Sequence, residues 1–251
     1  MEKLYFWTLV FIFVSGVFTW ITLYFITAGY GRYGSKKWGP AINPKLGWMI
    51  MESPVVILPI VFAFLGNVNA VTGVMLGIWL SHYIQRDLIY PFLIKNGAKM
   101  PLSIIAMSLF FNCMNGFVNG YWLFFLSKYE KYETSWFVTP QFIIGTILFY
   151  CGLFINIQSD HIVRNLRKEN GPGYHIPMKG FHKYVANPNY FGEIVEWAGW
   201  AILTWSVPGL AFVFFTMANL VPRAHRNRQW YVEKFGDKYP KSRKRVFPFI
   251  Y

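Results

Sequence analysis

The sequence contains few charged residues, fewer acidic than basic ones, and almost no cysteine. Only 14% of its 251 residues are charged and 55% are hydrophobic, whereas a soluble domain carries about 25% charged residues. This balance excludes an ordinary soluble globule and a disordered chain. Cys113 and Cys151 both lie within apolar runs, which argues against a disulfide scaffold. Long apolar runs dominate instead, so we predict a polytopic membrane protein.

Seven apolar segments are predicted to cross the bilayer as helices, each of which needs about 20 apolar residues. The first run has no charged residue and no evident cleavage site, so we expect it to be retained. The run 189–221 is too long for one span, and the turn-forming residues 206–209 (Ser-Val-Pro-Gly) divide it into a helical hairpin. The other predicted spans are 4–29, 46–64, 71–94, 101–126 and 136–157.

Basic residues concentrate on one side of the predicted membrane. The chain has 24 Lys and Arg against 11 Asp and Glu, a net charge of +13. With the N-terminus outside, the inside segments carry 4, 2, 5 and 9 basic residues, and the outside segments carry three. Because cytoplasmic loops are rich in Lys and Arg, this predicts seven spans, with the N-terminus outside and the C-terminus cytosolic. The inside segments, expected to cap a cytosol-facing site in a single domain 1–251, are 30–45, 95–100, 158–188 and 222–251.

The basic cytosolic surface has two interpretations. It either sets topology and attracts anionic lipid, or it binds an anionic ligand. Nucleic acid is disfavoured because no nucleic-acid-binding module is recognisable. The G-x-G-x-x-G match at 29–34 follows a predicted span rather than a strand, so we interpret its glycines as a helix end. The five histidines lack metal-ligand spacing, which disfavours a di-iron enzyme.

Two side chains deep in the spans are candidate catalytic groups, because ionisable groups at membrane depth are costly and mark functional sites. Glu52 lies early in the second apolar run, where a neutral carboxyl would donate a hydrogen bond to a ligand oxygen. The alternative is a buried pair with a neighbouring helix. Tyr83 lies deep in the third span, which also carries His82, Arg86, Asp87 and Tyr90. Tyr90, near the cytosolic end, has interfacial anchoring as its alternative.

Polar stripes continue from later spans into the cytosol. One stripe, at helical spacing, consists of Asn156, Asp160, Arg164 and Arg167, and another consists of Arg223, Asn227 and Tyr231. Carboxylates accept bonds from hydroxyl groups and Arg forks bind phosphates, so both stripes suit a phosphorylated ligand. The alternatives are an ion pair of Asp160 with Arg164 and a juxtamembrane basic cluster. We expect Glu193 and Glu196 to bond an amide, hydroxyl or basic partner.

The segment from Asn187 to Glu196 (Asn-Pro-Asn-Tyr-Phe-Gly-Glu-Ile-Val-Glu) resembles the signature of the steroid 5-alpha-reductases. The C-terminal sequence Lys-Tyr-Pro-Lys-Ser-Arg-Lys-Arg-Val-Phe-Pro-Phe-Ile-Tyr at 238–251 resembles the end of the same family. Asn-Ile-Gln-Ser-Asp at 156–160, Arg-Asn-Leu-Arg-Lys at 164–168 and Gly-Tyr-Gly at 29–31 also match. The resemblance covers most of the chain and is strongest from Asn156 onward.

The resemblance implies a seven-span membrane enzyme that uses NADPH to reduce the delta-4 double bond of a 3-oxo-delta-4 steroid. It implies that Glu52 and Tyr83 hold the C3 carbonyl. The cofactor contacts that it implies are Tyr90, Asn156, Asp160, Arg164, Arg167, Asn189, Glu193, Arg223, Asn227 and Tyr231. The implied partners are a lipophilic substrate and membrane lipid, without nucleic acid or an obligate protein partner.

The sequence departs from the animal members of the family at Met51, Met107 and Asn227, where they have Gln, Arg and His. Two other enzyme classes remain as alternatives: an enoyl-CoA reductase of fatty-acid elongation and a membrane methyltransferase that uses S-adenosylmethionine. A transporter or receptor is disfavoured because no inverted repeat is apparent. Both a bacterial inner membrane and an endoplasmic reticulum membrane fit the charge pattern.

Overall fold

The computed structural model describes residues 1–27, 29, 31–34, 36–94, 97–127 and 129–251. The described chain is almost entirely helical, which confirms the predicted all-α class. Tyr30 of the Gly-Tyr-Gly match, and Lys95 and Lys128 of the charge count, lie outside the described residues. The helices are α1 (Glu2–Phe25), α2 (Pro44–Leu65), α3 (Ala70–Tyr83), α4 (Tyr90–Leu93), α5 (Leu102–Tyr121), α6 (Pro140–Glu169), α7 (Pro188–Thr204) and α8 (Val207–Phe235). Strands β1 (Ala41–Ile42) and β2 (Met100–Pro101) pair antiparallel.

Five of the described helical segments are long and apolar enough to cross a membrane, which confirms a multi-pass helical membrane protein in this coarse form. They are Glu2–Phe25, Pro44–Leu65, Leu102–Leu126, Pro140–Glu169 and Val207–Lys238. α3 and α7 have 14 and 17 residues. α7 also carries two glutamates and packs closely against α6, so most of its side chains are enclosed by the protein.

Two helices continue into π-helical turns. Ile84–Ile89 joins α3 to α4, and Trp122–Leu126 extends α5. A π turn widens the helix and frequently occurs at functional sites. The sequence predicts one helical span over 71–94, and the structure differs from a regular α-helix there at residues 84–89.

The predicted hairpin between α7 and α8 is confirmed at residues 205 and 206. α7 ends at Trp205, whose φ of 44° places it in the left-handed region. The Trp205 carbonyl accepts a hydrogen bond from Lys131 Nζ at 2.8 Å. Ser206 then caps α8, because its Oγ accepts from the Gly209 amide at 3.2 Å. Pro208 lies in the first turn, where it leaves no helical bond unmade.

Glycines bring α6 and α7 into backbone contact, and these two helices pack together most extensively. A Cβ at Gly152 would collide with the backbone of Gly192 and Glu196, and a Cβ at Gly192 would lie 2.6 Å from Asn156 N. Gly145 of α6 and Gly199 of α7 make the same close backbone approach at a second position along the two helices. Because both partners are backbone, neither can move aside. This packing sets the spacing between the polar faces of the two helices.

Two prolines inside α2 leave backbone carbonyls near Glu52 without helical partners, and other groups bond them. Pro54 and Pro59 have no amide hydrogen, so the carbonyls of Ile50 and Val55 lose their helical partners. Ser53 Oγ donates to Ile50 O at 2.9 Å, and Trp79 Nε1 donates to Val55 O at 2.7 Å. The second bond fixes α3 against α2.

The C-terminal residues anchor the start of α7. Lys244 N donates to Tyr184 O at 2.9 Å, and Ala186 N donates to Lys244 O at 2.8 Å. Asn187 Nδ2 adds a bond to Arg245 O at 3.1 Å. The basic tail is therefore part of the folded structure around the polar ends of α6, α7 and α8.

Candidate active site

Four polar side chains from three helices form a group that we call the acid cluster: the partly buried Glu52 of α2, and the buried His82 and Tyr83 of α3 and Glu196 of α7. Tyr83 is only 2% exposed and its ring packs against Trp79 and Trp197 at centroid distances of 5.2 and 5.8 Å. Trp79 also donates to Val55 O of α2, three residues from Glu52, and the His82 ring that contacts Tyr83 bonds Glu196. The structure therefore brings both predicted catalytic residues into one apolar-walled region.

Glu52 is held by a helix that the sequence prediction did not connect to it. Asn112 of α5 donates from Nδ2 to Met51 O at 2.6 Å and to Glu52 Oε2 at 3.3 Å. Glu52 therefore does bond a neighbouring helix, α5, as the predicted alternative for this residue proposed. It leaves the other carboxyl oxygen of Glu52 available for a different partner.

His82 and Glu196 form a buried pair at the centre of the acid cluster. His82 Nδ1 lies 2.8 Å from Glu196 Oε1, and the two residues are 4% and 0% exposed. Glu196 Oε2 has no hydrogen-bond partner in the described structure. The His82 ring packs edge-on against Tyr83 at 4.9 Å. The expectation that Glu196 would bond a basic partner is confirmed.

The polar faces of α6 and α7 form a hydrogen-bonded network beside this cluster. Asn156 Nδ2 donates to Asn189 O at 3.0 Å and contacts Glu193 Oε2 at 3.5 Å. Asn189 Nδ2 in turn donates to Asp160 Oδ1 at 3.3 Å. Four of the predicted cofactor-binding residues therefore lie in one continuous network, with Glu193 bonded to an amide as expected.

Asp160 connects this network to the π turn that follows α3. Its Oδ2 lies 3.8 Å from Arg86 Nη1. The Arg86 guanidinium also lies over the rings of Trp48 and Tyr90, at 4.3 and 4.6 Å. The alternative that Asp160 forms its ion pair with Arg164 is wrong, because the π turn brings Arg86 to the carboxylate instead. Tyr90 is partly buried and packs against Trp48 at 5.6 Å, and interfacial anchoring stays its alternative.

A second group of predicted cofactor residues lies on α8. Asn227 Nδ2 donates to Asn187 Oδ1 at 2.8 Å, and Asn227 Oδ1 accepts from Tyr33 Oη at 3.2 Å. Arg223 lies over the Tyr190 ring at 5.5 Å and donates to Asn219 Oδ1 at 3.0 Å. Tyr190 belongs to α7, so this group adjoins the network around Asn189.

Arg167 and Tyr231, two further predicted cofactor residues, line one small hollow with Tyr174 and His175. Arg167 lies 5.4 Å from the centroid of the Tyr174 ring. Tyr231 is 6% exposed and stacks on Tyr239 at 5.5 Å. We refer to Arg86, Asp160, Arg164, Arg167 and Arg223 together as the cationic cluster.

One arginine of the cationic cluster has a buried nitrogen with no acceptor among the described residues. Arg164 Nη1 is buried without a hydrogen-bond acceptor among the described residues. A buried guanidinium nitrogen without an acceptor is costly, and phosphate is the acceptor that best suits its geometry. The cluster has four arginines and one carboxylate, so its residues fit an anionic, phosphorylated cofactor.

Sequence reasoning missed Asn112 and the pairing of His82 with Glu196. A signal for the first was present, since Asn112, Asn115 and Asn119 recur at helical spacing within an apolar run. Pairing across 114 residues of sequence carries no such local signal. Within the ranges that the structure describes, no three His, Cys, Asp or Glu side chains converge on a possible metal position.

The fold and the site define a multi-pass helical membrane protein in which a buried acid cluster adjoins a cationic cluster. The profile of the 3-oxo-5-alpha-steroid 4-dehydrogenase family matches residues 98–251. The chain is 39% identical to the steroid 5-alpha-reductase DET2 of Gossypium hirsutum, over 100% of this chain and 98% of the relative. It is 38% identical to the 3-oxo-5-alpha-steroid 4-dehydrogenase 1 of Bos taurus, over 94% and 92% of the two chains. The human protein of that name is 40% identical over 88% and 86%.

The chain therefore belongs to the 3-oxo-5-alpha-steroid 4-dehydrogenase family, which confirms the resemblance found in its sequence. The profile begins at residue 98, whereas the relative from Gossypium hirsutum aligns along the whole chain, including the helices that carry Glu52 and Tyr83.

Proposed function

We propose that the chain reduces the delta-4 double bond of a 3-oxo-delta-4 steroid with NADPH, giving a 5-alpha-dihydro steroid. The observation that carries this proposal is the juxtaposition of Glu52 and Tyr83, within an aromatic-walled interior, with the cationic cluster. An apolar wall suits a lipophilic steroid, and the cations suit cofactor phosphates. The family and its named relatives support the same reaction class.

In this proposal the Glu52 carboxyl and the Tyr83 hydroxyl donate hydrogen bonds to the C3 carbonyl oxygen of the steroid. When bound, NADPH supplies the hydride that is added at C5. Negative charge then develops on the C3 oxygen, where the two donors stabilise it in a site with apolar walls. Proton addition at C4, from water, completes the reduction.

The residues proposed to hold the cofactor are those of the cationic cluster and the neighbouring amide network. Arg164 Nη1, which has no acceptor among the described residues, would donate a hydrogen bond to a phosphate oxygen. Asn156, Asn189, Glu193 and Asp160 would accept from or donate to ribose and amide groups. The others are Tyr90, Arg167, Arg223, Asn227 and Tyr231.

We also propose seven spans, with the N-terminus outside and the cofactor site open to the cytosol. The basic residues of the inside segments support this orientation. α3 with its π turn and α4 would be the sixth span, and α7, joined to α8 in the hairpin, would be the seventh. Such a protein would take its steroid from the bilayer and its cofactor from the cytosol, in either an endoplasmic reticulum membrane or a bacterial inner membrane.

The test is NADPH oxidation by detergent-purified protein with testosterone or progesterone, followed by product mass and chromatography. We expect steroid-dependent oxidation and a product heavier by two hydrogens. Oxidation only with an enoyl-CoA would instead identify a reductase of fatty-acid elongation. Failure of folded protein to bind NADPH, with binding of S-adenosylmethionine, would support the methyltransferase and overturn the proposal.

A further inference from the structure

Asn112 is a buried amide on α5 that directly contacts the proposed catalytic carboxyl. It is 5% exposed and lies four residues before Gly116. A Cβ at Gly116 would lie 2.9 Å from Pro54 O, so α5 approaches the backbone of α2 closely at this level. The close approach places the Asn112 amide beside Met51 and Glu52 rather than beside lipid.

The contacts of Asn112 determine which end of its amide faces Glu52. A backbone carbonyl can only accept a hydrogen bond, so the Met51 O contact at 2.6 Å must be made by the NH2 group of Asn112. The same nitrogen lies 3.3 Å from Glu52 Oε2 and 3.5 Å from Ser108 Oγ. One hydrogen is committed to Met51 O, and the shorter of the two remaining contacts directs the other toward Glu52 Oε2.

We propose that Asn112 is a positioning residue that fixes the proton of neutral Glu52 on Oε1. A neutral carboxylic acid has one oxygen with free lone pairs and one that carries the proton. Donation from Asn112 requires the lone pairs to be on Oε2, which leaves the proton on Oε1. Oε1–H is then the group that donates to the substrate carbonyl. This inference rests on the proposed function for its catalytic meaning, but the proton position itself can be measured without turnover.

The test is infrared spectroscopy of the purified protein without steroid or NADPH, at mildly acidic pH. The C=O stretch of protonated Glu52 is identified as the acid band lost in Glu52→Gln. Asn112→Leu retains a similar volume and removes the donor, so the band is expected to move to higher frequency. Asn112→Ala serves the same purpose should the Leu variant not fold.

Asn119→Leu is the matched control, because Asn119 is a buried amide on the same helix that bonds Asn115 and Trp200 instead of Glu52. It should leave the Glu52 band in place. In steady-state assays Asn112→Leu should lower kcat roughly tenfold, the effect of one hydrogen bond, with a smaller change in KM for NADPH.

Three results would overturn the inference: an unmoved Glu52 band in the Asn112 variants, an equal shift in Asn119→Leu, or no acid band that depends on Glu52. Failure of the proposed function gives a different result. In that case Glu52→Gln retains turnover, whereas the Asn112 variants still shift the band.

Discussion

The acid cluster and the cationic cluster satisfy their polar groups in different ways. In the acid cluster, polar side chains bond each other between aromatic rings, as in the 2.8 Å pair of His82 with Glu196 beside the Trp197 ring. In the cationic cluster the guanidinium groups lie on aromatic faces, and Arg164 Nη1 has no acceptor in the described structure. Each region leaves a buried polar atom without a partner among the described residues, but the atoms differ: a carboxyl oxygen, Glu196 Oε2, in the first and a guanidinium nitrogen, which suits an anion, in the second. The difference indicates that the two regions have separate tasks.

Replacing the proposed hydrogen-bond donors of the acid cluster should have the largest effect, a loss of turnover. Glu52→Gln and Tyr83→Phe should each lower turnover about 10²–10³-fold, because one donor to a developing oxyanion is lost. NADPH binding should be retained. Stopped-flow rates of steroid reduction, with a separate NADPH titration, measure both. Glu169→Gln and Tyr150→Phe, which alter exposed residues on α6, are the matched controls. Near-wild-type turnover in both variants would remove the assigned roles.

Separating α6 from α7 should damage both clusters together. Gly152→Ala forces a methyl group into the backbone of Gly192 and Glu196, so the free energy of unfolding should fall by about 1–3 kcal/mol. Thermal unfolding in detergent measures the loss, and NADPH binding should weaken in parallel. The control is Gly77→Ala, where a Cβ meets nothing within 4 Å. An unchanged melting temperature for Gly152→Ala would contradict the described packing.

Removing the Arg164 guanidinium, whose Nη1 has no acceptor among the described residues, should affect only the cationic cluster. Arg164→Gln should weaken NADPH binding about tenfold or more, since a charge-assisted bond to phosphate is lost. The maximal rate at saturating NADPH should change little. Isothermal titration of NADPH measures the binding, with exposed Lys168→Gln as the control for a general loss of positive charge. Equal affinities in the Arg164 and Lys168 variants would show that Arg164 does not contact the cofactor.

A pH effect on stability is expected outside both clusters. Burial lowers the pKa of His182, in the loop before α7, to about 4. The unfolded chain has a His pKa of about 6.5, so it binds more protons than the folded chain between these values. Stability should therefore be full above about pH 6.5 and fall by up to about 1.4 kcal/mol per pH unit as pH is lowered toward 4.

Thermal unfolding measured from pH 7 to pH 5 tests this effect. His182→Gln should flatten the profile, whereas exposed His161→Gln should not. A profile for His182→Gln as steep as that of the unsubstituted protein would assign the pH dependence to other groups.

The sequence predicted much of the fold because its signals were local. Apolar length located the long helices, and Ser206, Pro208 and Gly209 predicted the hairpin that the structure confirms. The alternation of apolar and polar faces placed Asn156 and Asp160 on one side of α6. The family motifs then joined residues from distant segments into one candidate site.

The features that sequence reasoning could not supply depend on contacts across helices. The π turn at 84–89 brings Arg86 to Asp160, although helical spacing favoured Arg164 as the partner. Asn112 reaches Glu52 only because glycines allow α5 to approach α2. The spacing of the asparagines marks a polar face of α5 but does not identify its partner, because each interaction depends on how two helices pack.

The most direct test of the division between the two clusters is a double-mutant cycle of Glu52→Gln and Arg164→Gln, with NADPH affinity and turnover measured for each protein. We expect Glu52→Gln alone to retain NADPH affinity, Arg164→Gln alone to retain most of its maximal rate, and the two losses in kcat/KM to multiply in the double variant. Loss of NADPH affinity in Glu52→Gln as large as that in Arg164→Gln would contradict the account.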